Sequence, residues 1–301
     1  MSWYVLVFGV AMIKLGAFTY WYNMTVFDYP AEESVRSVIP AVDQFVICEC
    51  RSQDNTLDIA KKLQSEFPDK IKIVRRNWVT HFTQIASVAN FAMDALNDDI
   101  DFAYQIQADE VLHEDSIEEL TSMPNMLTEA KKTAARVKYV HFMANYQTTF
   151  PFCYDTLVRI ASRKHSWEII GDGVQFAKHS AGRDDIPEEE VLNTEIQVFH
   201  YGKVKDAEKG WQKEHDFMEL YRDIGFPDPK VAEMEAKLGK KFCDYIYLFE
   251  DHVKNGTIKK FTGVHPFVMK DRIAAFKAGG YEQFVSEMEA NVKIAFKDNN
   301  V

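Results

Sequence analysis

The chain has 301 residues, of which 47% are hydrophobic and 27% charged, and a formal net charge of −11. This length holds one large domain, or one domain with a smaller appendage, and the composition is that of a soluble globular protein. So acidic a chain argues against a broad nucleic-acid surface, which needs a basic face, while a local basic pocket for phosphates is compatible with it.

Trp3 to Ile13 is an uncharged apolar run ended by Lys14. It is shorter than the ~20 residues of a spanning helix. It also lacks the basic start and small-residue cleavage site of a secretory signal. A buried strand or docked apolar leader is expected, with no transmembrane span and with membrane-surface contact as the lesser alternative. Residues 16–22 are aromatic and β-branched and predict a strand. Ala31 to Ile39 has helical spacing and stops at Pro40, and Phe45 to Cys48 suits a buried parallel strand with Glu49 at its carboxyl end. Asp54 and Asn55 can cap a helix whose stripe is Leu57, Ala60, Leu63 and Phe67. A strand over 71–74, a helix over 85–96 and a strand over 102–106 follow. This alternation predicts a mostly parallel α/β sheet with helices on both faces.

The second half is less regular. Strands are predicted over 134–143, 155–161 and 196–199, with a glycine-flanked turn at Gly171-Asp172-Gly173 and a mobile polar loop over 183–190. From 206 the pattern turns helical (211–221, 231–253 and 267–289). The chain therefore divides into residues 1–205, an α/β domain, and residues 206–301, a helical C-terminal region. Four cysteines (Cys48, Cys50, Cys153, Cys243) have neither CxxC spacing nor a dense framework, which points to reduced thiols in a cytoplasmic setting.

The strand over 102–106 runs into Gln107-Ala108-Asp109-Glu110 and then His113-Glu114. A strand ending in carboxylates presents them to the crevice beyond the carboxyl edge of the sheet, where open α/β folds hold ligands. Crowded carboxylates repel unless a cation or proton sits among them. That chemistry fits a divalent-metal site serving a phosphorylated ligand. A solvated acidic turn is the alternative these residues alone leave open.

Two co-linear segments carry a family resemblance. Ser34 to Ile47 followed by Ser52-Gln-Asp-Asn-Thr-Leu-Asp-Ile resembles the "SI-SL-P-VDEVIVVDGSTDGT-EI" opening of family 2 glycosyltransferases, and Gln107 to Leu112 is similar to their "DADEVL" segment. The resemblance covers roughly residues 16–115 and thins to scattered motifs up to 205. It implies a GT-A fold that binds a nucleotide sugar, most simply a UDP-sugar, with Mn²⁺ or Mg²⁺.

By that resemblance, Glu49 meets the uracil or ribose, Asn23 matches the Asn of an "RNE" turn, and Asn90 that of an "RN-AL" segment. Tyr22 replaces the arginine of the first and is expected to stack on the base. Asp109 ligates the metal. Gln107 stands where the first acid of the metal motif is usual and offers the ribose a hydrogen bond but no charge. His200, from a late strand, is the expected second ligand, and Lys203 or Lys205 offsets the diphosphate charge. Asp172 matches the acid of a "GD-VHE" segment and is the expected base, although Gln175 replaces its His-Glu; Glu110, Asp184 and Asp185 stand behind it. Trp167 and Trp211 could shape the acceptor side. The turn Gly263-Val264-His265-Pro266 is distinctive and receives no chemistry.

The expected activity is metal-dependent, inverting, hexosyltransferase-like transfer from a nucleotide sugar to a glycan or other hydroxyl acceptor. A catalytically degenerate nucleotide-sugar or glycan binder is the alternative from another class, supported by Gln107, Gln175 and the missing arginines. A nucleotidyltransferase lacks support because Tyr-Trp-Tyr-Asn-Met-Thr stands where its glycine-rich basic loop belongs. No HxH or HExxH cluster favours a metal-dependent hydrolase.

Overall fold

The structure, a computed structural model, describes residues 12–151, 154–178, 185–205, 255–277 and 279–295, with scattered positions between 209 and 220. Four strands form its parallel block: β1 (Leu15–Trp21), β2 (Gln44–Glu49), β3 (Ile71–Arg75) and β4 (Phe102–Gln105), in the order β3-β2-β1-β4. Side chains alternate across a strand, so β2 serves both faces of the sheet. Phe45 and Ile47 pack with Val35 and Val38 of α1 (Ala31–Val38) and Ala60 and Leu63 of α2 (Thr56–Glu66). Val46 and Cys48 pack with Ile85, Val88 and Ala89 of α3 (Ile85–Asp94) on the other face. An α/β sheet covered on both faces is therefore observed as expected, and it explains why β2 reads as an unbroken apolar run.

Beyond β4 the sheet continues with antiparallel neighbours. β8 (Thr156–Ser162) pairs with β4, and β6 (Ala134–Met143) pairs with β8. β11 (Val191–Lys203) runs parallel to β6 and antiparallel to β5 (Glu110–Leu112). β11 is 13 residues long, far more than the four expected, because its exposed alternate positions hid the period. Between β5 and β6 lies α4 (Ile117–Ala130), which sequence reasoning missed. Its buried Leu120, Met123 and Leu127 have helical spacing, but Pro124 sits among them and masks the signal. A two-stranded hairpin, β9 (Trp167–Ile170) and β10 (Gln175–Lys178), carries the glycine turn.

The expected mobile loop behaves differently where it is described. Ile186 is buried, Arg136 pairs with Glu188, and Thr133 Oγ1 donates to Glu190 Oε2 at 2.7 Å. Residues 183 and 184, like 1–11, lie outside the described residues. So do Cys153, Cys243, Trp211 and nearly all of the helical pattern over 211–253.

The described C-terminal residues lie against the sheet. β12 (Lys259–Lys260) pairs with β7 (Asn145–Thr149), and the helix expected over 267–289 is two helices, α5 (Lys270–Ala275) and α6 (Tyr281–Ala295). Extended backbone at Phe276 and the Gly279-Gly280 pair interrupt it. The 263–266 turn acquires a structural role. His265 Nε2 donates to the Tyr146 carbonyl at 2.8 Å, so its Nδ1 accepts from the Tyr201 hydroxyl, also at 2.8 Å. This latch seats Phe261 and Met269 in a cluster with Phe142 and Phe199.

No helix among the described residues is long and apolar enough to cross a membrane. Cys48 and Cys50 are buried free thiols with their sulfurs 3.9 Å apart.

Candidate functional site

The chain crosses from one half of the sheet to the other between β1 and β4, and a crevice beyond such a switch point is where α/β sheets hold ligands. At that edge Glu49 ends β2, Tyr22 and Asn23 follow β1, and Gln107 and Asp109 follow β4.

On the β1–β2 side, Asn23 has left-handed backbone (φ 53°), which asparagine tolerates better than most residues. Its Oδ1 accepts from Gln53 N–H at 2.9 Å, and its own N–H donates to Ser52 Oγ at 3.1 Å. Glu49 is fully buried. One carboxylate oxygen accepts from Ser52 N–H at 2.6 Å and the other from Arg75 Nε at 2.7 Å. Asn90 clasps the backbone of Ile169 through both amide atoms, at 2.9 and 2.8 Å, and so ties α3 to β9. Tyr22 stacks on Trp78, with ring centroids 4.9 Å apart and planes 4° from parallel. Tyr20 reaches the same indole at 6.3 Å. Trp78 was not anticipated; an aromatic residue just past a strand end, after Arg75 and Arg76, was the available signal.

The hairpin turn closes over β1 and β4. Gly173 has φ +87°, and a Cβ there would meet the Tyr20 hydroxyl at 2.6 Å, so the approach needs glycine. Its carbonyl accepts from Gln105 Nε2 at 2.7 Å and Gln107 Nε2 at 3.1 Å, while Gln107 Nε2 also lies 3.1 Å from the Tyr20 hydroxyl. Gln107 thus anchors the turn that carries Asp172. Burial pushes the Tyr20 hydroxyl far up; Arg159 opposes the rise, and the charges of Asp109, Asp172 and Glu110 add to it. Gln175 donates to Asp185 at 3.1 Å, and Trp167 is buried against His165.

Asp109 and His200 meet across the β4–β5 turn and β11, with Oδ2 and Nε2 at 3.4 Å. Gly202 makes this possible, since a Cβ there would lie 2.5 Å from that oxygen and 2.6 Å from that nitrogen. Burial alone would raise the Asp109 carboxyl, but His200, Lys213 and Lys205 outweigh it and hold the group well below the usual carboxylate range. The lysines acting on Asp109 are therefore Lys205 and the unforeseen Lys213. Lys203 ends β11 half-buried. Lys205 Nζ donates to the Phe27 carbonyl at 2.7 Å and Lys213 Nζ to the Gly202 carbonyl at 3.0 Å, and both lie over the Tyr29 ring. Burial lowers Lys205 well below an ordinary lysine, and Lys213 lowers it further.

Glu110 faces the opposite way. It is 1% exposed, pairs with the fully buried Arg159, and accepts from the Tyr139 hydroxyl at 3.1 Å and Gln107 N–H at 2.9 Å. Burial raises its carboxyl, and Arg159 opposes the rise.

Asp109 and His200 fit a hard divalent cation that takes its remaining ligands from water and phosphate. Among the described residues no group of three or more His, Cys, Asp or Glu side chains could hold a metal ion.

No protein-family profile and no curated protein matches the chain. Among solved structures, it is similar to TarS of S. aureus, with 11% identity and a TM-score of 0.39; the match covers 95% of this chain but only 55% of TarS. Residues 1–349 of TarS in complex with UDP-GlcNAc give 12% identity and a TM-score of 0.42, covering 95% of this chain and 90% of that one. A 4-diphosphocytidyl-2C-methyl-D-erythritol synthase from Anaerococcus prevotii gives 11% and 0.37, covering 70% and 99%. At these values no activity and no residue role passes from those proteins to this chain.

Proposed function

We propose that the chain is a GT-A glycosyltransferase of family 2 type, which moves a sugar from a nucleotide sugar, best a UDP-sugar, to a hydroxyl of a glycan or other acceptor. The observation that carries the proposal is the meeting of Asp109 and His200 at 3.4 Å beside two buried lysines, at the switch point of the sheet. In this reading Tyr22, Asn23, Glu49, Asn90 and Gln107 build the nucleotide side, and Lys203 stands at its rim. Asp109 and His200 hold Mn²⁺ or Mg²⁺, which when bound offsets the charge of the diphosphate. Asp172 takes the proton of the acceptor hydroxyl as its oxygen attacks the anomeric carbon. The bond to the diphosphate breaks on the opposite side, so the configuration inverts. The cytoplasmic setting suggested by the thiols belongs to the same proposal.

A nucleotide-sugar panel with Mn²⁺ or with EDTA tests it. Release of free nucleotide from one donor, abolished by EDTA, is expected. A second reading is supported by the lysines. Lys205 and Lys213 bring two amines to Asp109, and amines can offset a diphosphate without a metal. Turnover unaffected by EDTA selects that reading, and donor binding without turnover selects the degenerate binder. Failure to bind any nucleotide sugar removes all three.

A further inference from the structure

Tyr20 lies on β1 and Gln107 follows β4, so the two meet at the switch point of the sheet. Gln107 Nε2 lies 3.1 Å from the Gly173 carbonyl oxygen, which only accepts, and this settles which amide atom is the nitrogen. The same nitrogen lies 3.1 Å from the Tyr20 oxygen, so there the amide donates and the hydroxyl accepts. Both amide hydrogens are then in use, and the Tyr20 hydroxyl keeps its own hydrogen to give. Among the described residues that O–H meets no acceptor, and Gln107 Oε1 meets no donor. Both side chains are half-buried. The two open positions are also close together. Oε1 shares a planar amide with Nε2, which keeps it within about 6 Å of the Tyr20 oxygen. Gln105 Nε2 binds the same Gly173 carbonyl at 2.7 Å and helps to hold the arrangement in place.

We propose that Tyr20 and Gln107 form a pair that reads a sugar hydroxyl of the bound nucleotide sugar: Tyr20 donates to that hydroxyl, and the hydroxyl donates to Gln107 Oε1. A hydroxyl carries one hydrogen and two lone pairs, so it satisfies both open positions at once. A phosphate oxygen only accepts and would leave the Gln107 oxygen unmatched. The ribose of the nucleotide and the transferred sugar both offer such hydroxyls. Polar groups committed to a hydroxyl discriminate against the analogue that lacks it, because donor and acceptor are then left unpaired. Tyr20 is thus a specificity-determining residue. The inference rests on the nucleotide-sugar reading above.

Isothermal titration calorimetry tests it on wild type and Tyr20→Phe, with UDP, 2′-deoxy-UDP, 3′-deoxy-UDP and a panel of UDP-hexoses, and with Mn²⁺ present throughout. If the ribose is read, wild type is expected to bind UDP about 10-fold more tightly than one of the deoxy forms. Tyr20→Phe is then expected to erase that preference. If the transferred sugar is read, Tyr20→Phe binds UDP as wild type does and loses about 10-fold on a UDP-hexose. An equal loss on every ligand overturns the proposal, as does unchanged affinity for all of them, and the nucleotide-sugar reading then stands. A wild-type protein that binds none of them overturns both. If Tyr20→Phe does not fold, Gln107→Met, which removes the acceptor, is judged by the same comparisons.

Discussion

Asp109 and Glu110 are sequence neighbours with opposite surroundings. Asp109 lies mostly buried against a histidine and two amines that favour its ionised form. Glu110 turns into the sheet, where Arg159 and Tyr139 bind one oxygen and the Gln107 N–H the other. In the proposed reading the first side holds a cation, while the second braces the turn that presents it. The difference teaches that in an acidic cluster at a strand end the alternation of the chain, not the residue type, divides ligand from strut.

The largest expected effect breaks the strut. Arg159→Met leaves Glu110 buried without its cation and should cost about 3–5 kcal/mol in urea unfolding. Glu110→Leu combined with Arg159→Met should recover more than half of that loss, and a single variant as stable as wild type would show that the pair does not brace the turn. Next, Asp109→Asn should lower metal-dependent turnover by more than the ~10–100-fold typical of residues behind a metal ligand. Its melting temperature should fall as well, because the carboxylate's pairing with His200 and the two lysines stabilises the fold at neutral pH, so turnover is compared below that transition. Retained turnover would mean that the site lies elsewhere. Gly202→Ala forces a Cβ into the space shared by Asp109 and His200. It should cost about 1–3 kcal/mol by overpacking and weaken Mn²⁺ binding as well, whereas a change in neither would show that the two side chains need not meet. The smallest effect belongs to the far edge of the sheet. His265→Phe removes two hydrogen bonds from the latch and should cost about 1–3 kcal/mol in thermal unfolding while Mn²⁺ binding persists.

The first half of the fold was legible because its strands and helices are regular and short-range. β2 reads as an apolar run since both of its faces are covered, and α2 announces itself through Asp54, Asn55 and a clean stripe. The later elements were harder to read for physical reasons. α4 holds a proline, β11 alternates with exposed positions, and the two-residue β12 is defined only by the neighbour it pairs with. The site shows the same division. Asp109, His200 and Asp172 were named through the family resemblance, which rests on local segments of the chain. Trp78, Tyr20 and Lys213 were not, since each matters only through a partner distant in sequence.

By itself the sequence determined that Gln107-Ala108-Asp109-Glu110 ends a strand of an α/β sheet, because hydrophobic period and turn chemistry are local. Tertiary structure alone decided which carboxylate meets His200, which is held by Arg159, and why Gly202 carries no side chain. Those choices depend on the register between β11, β6 and β5, and that register joins residues about 60 to 90 positions apart.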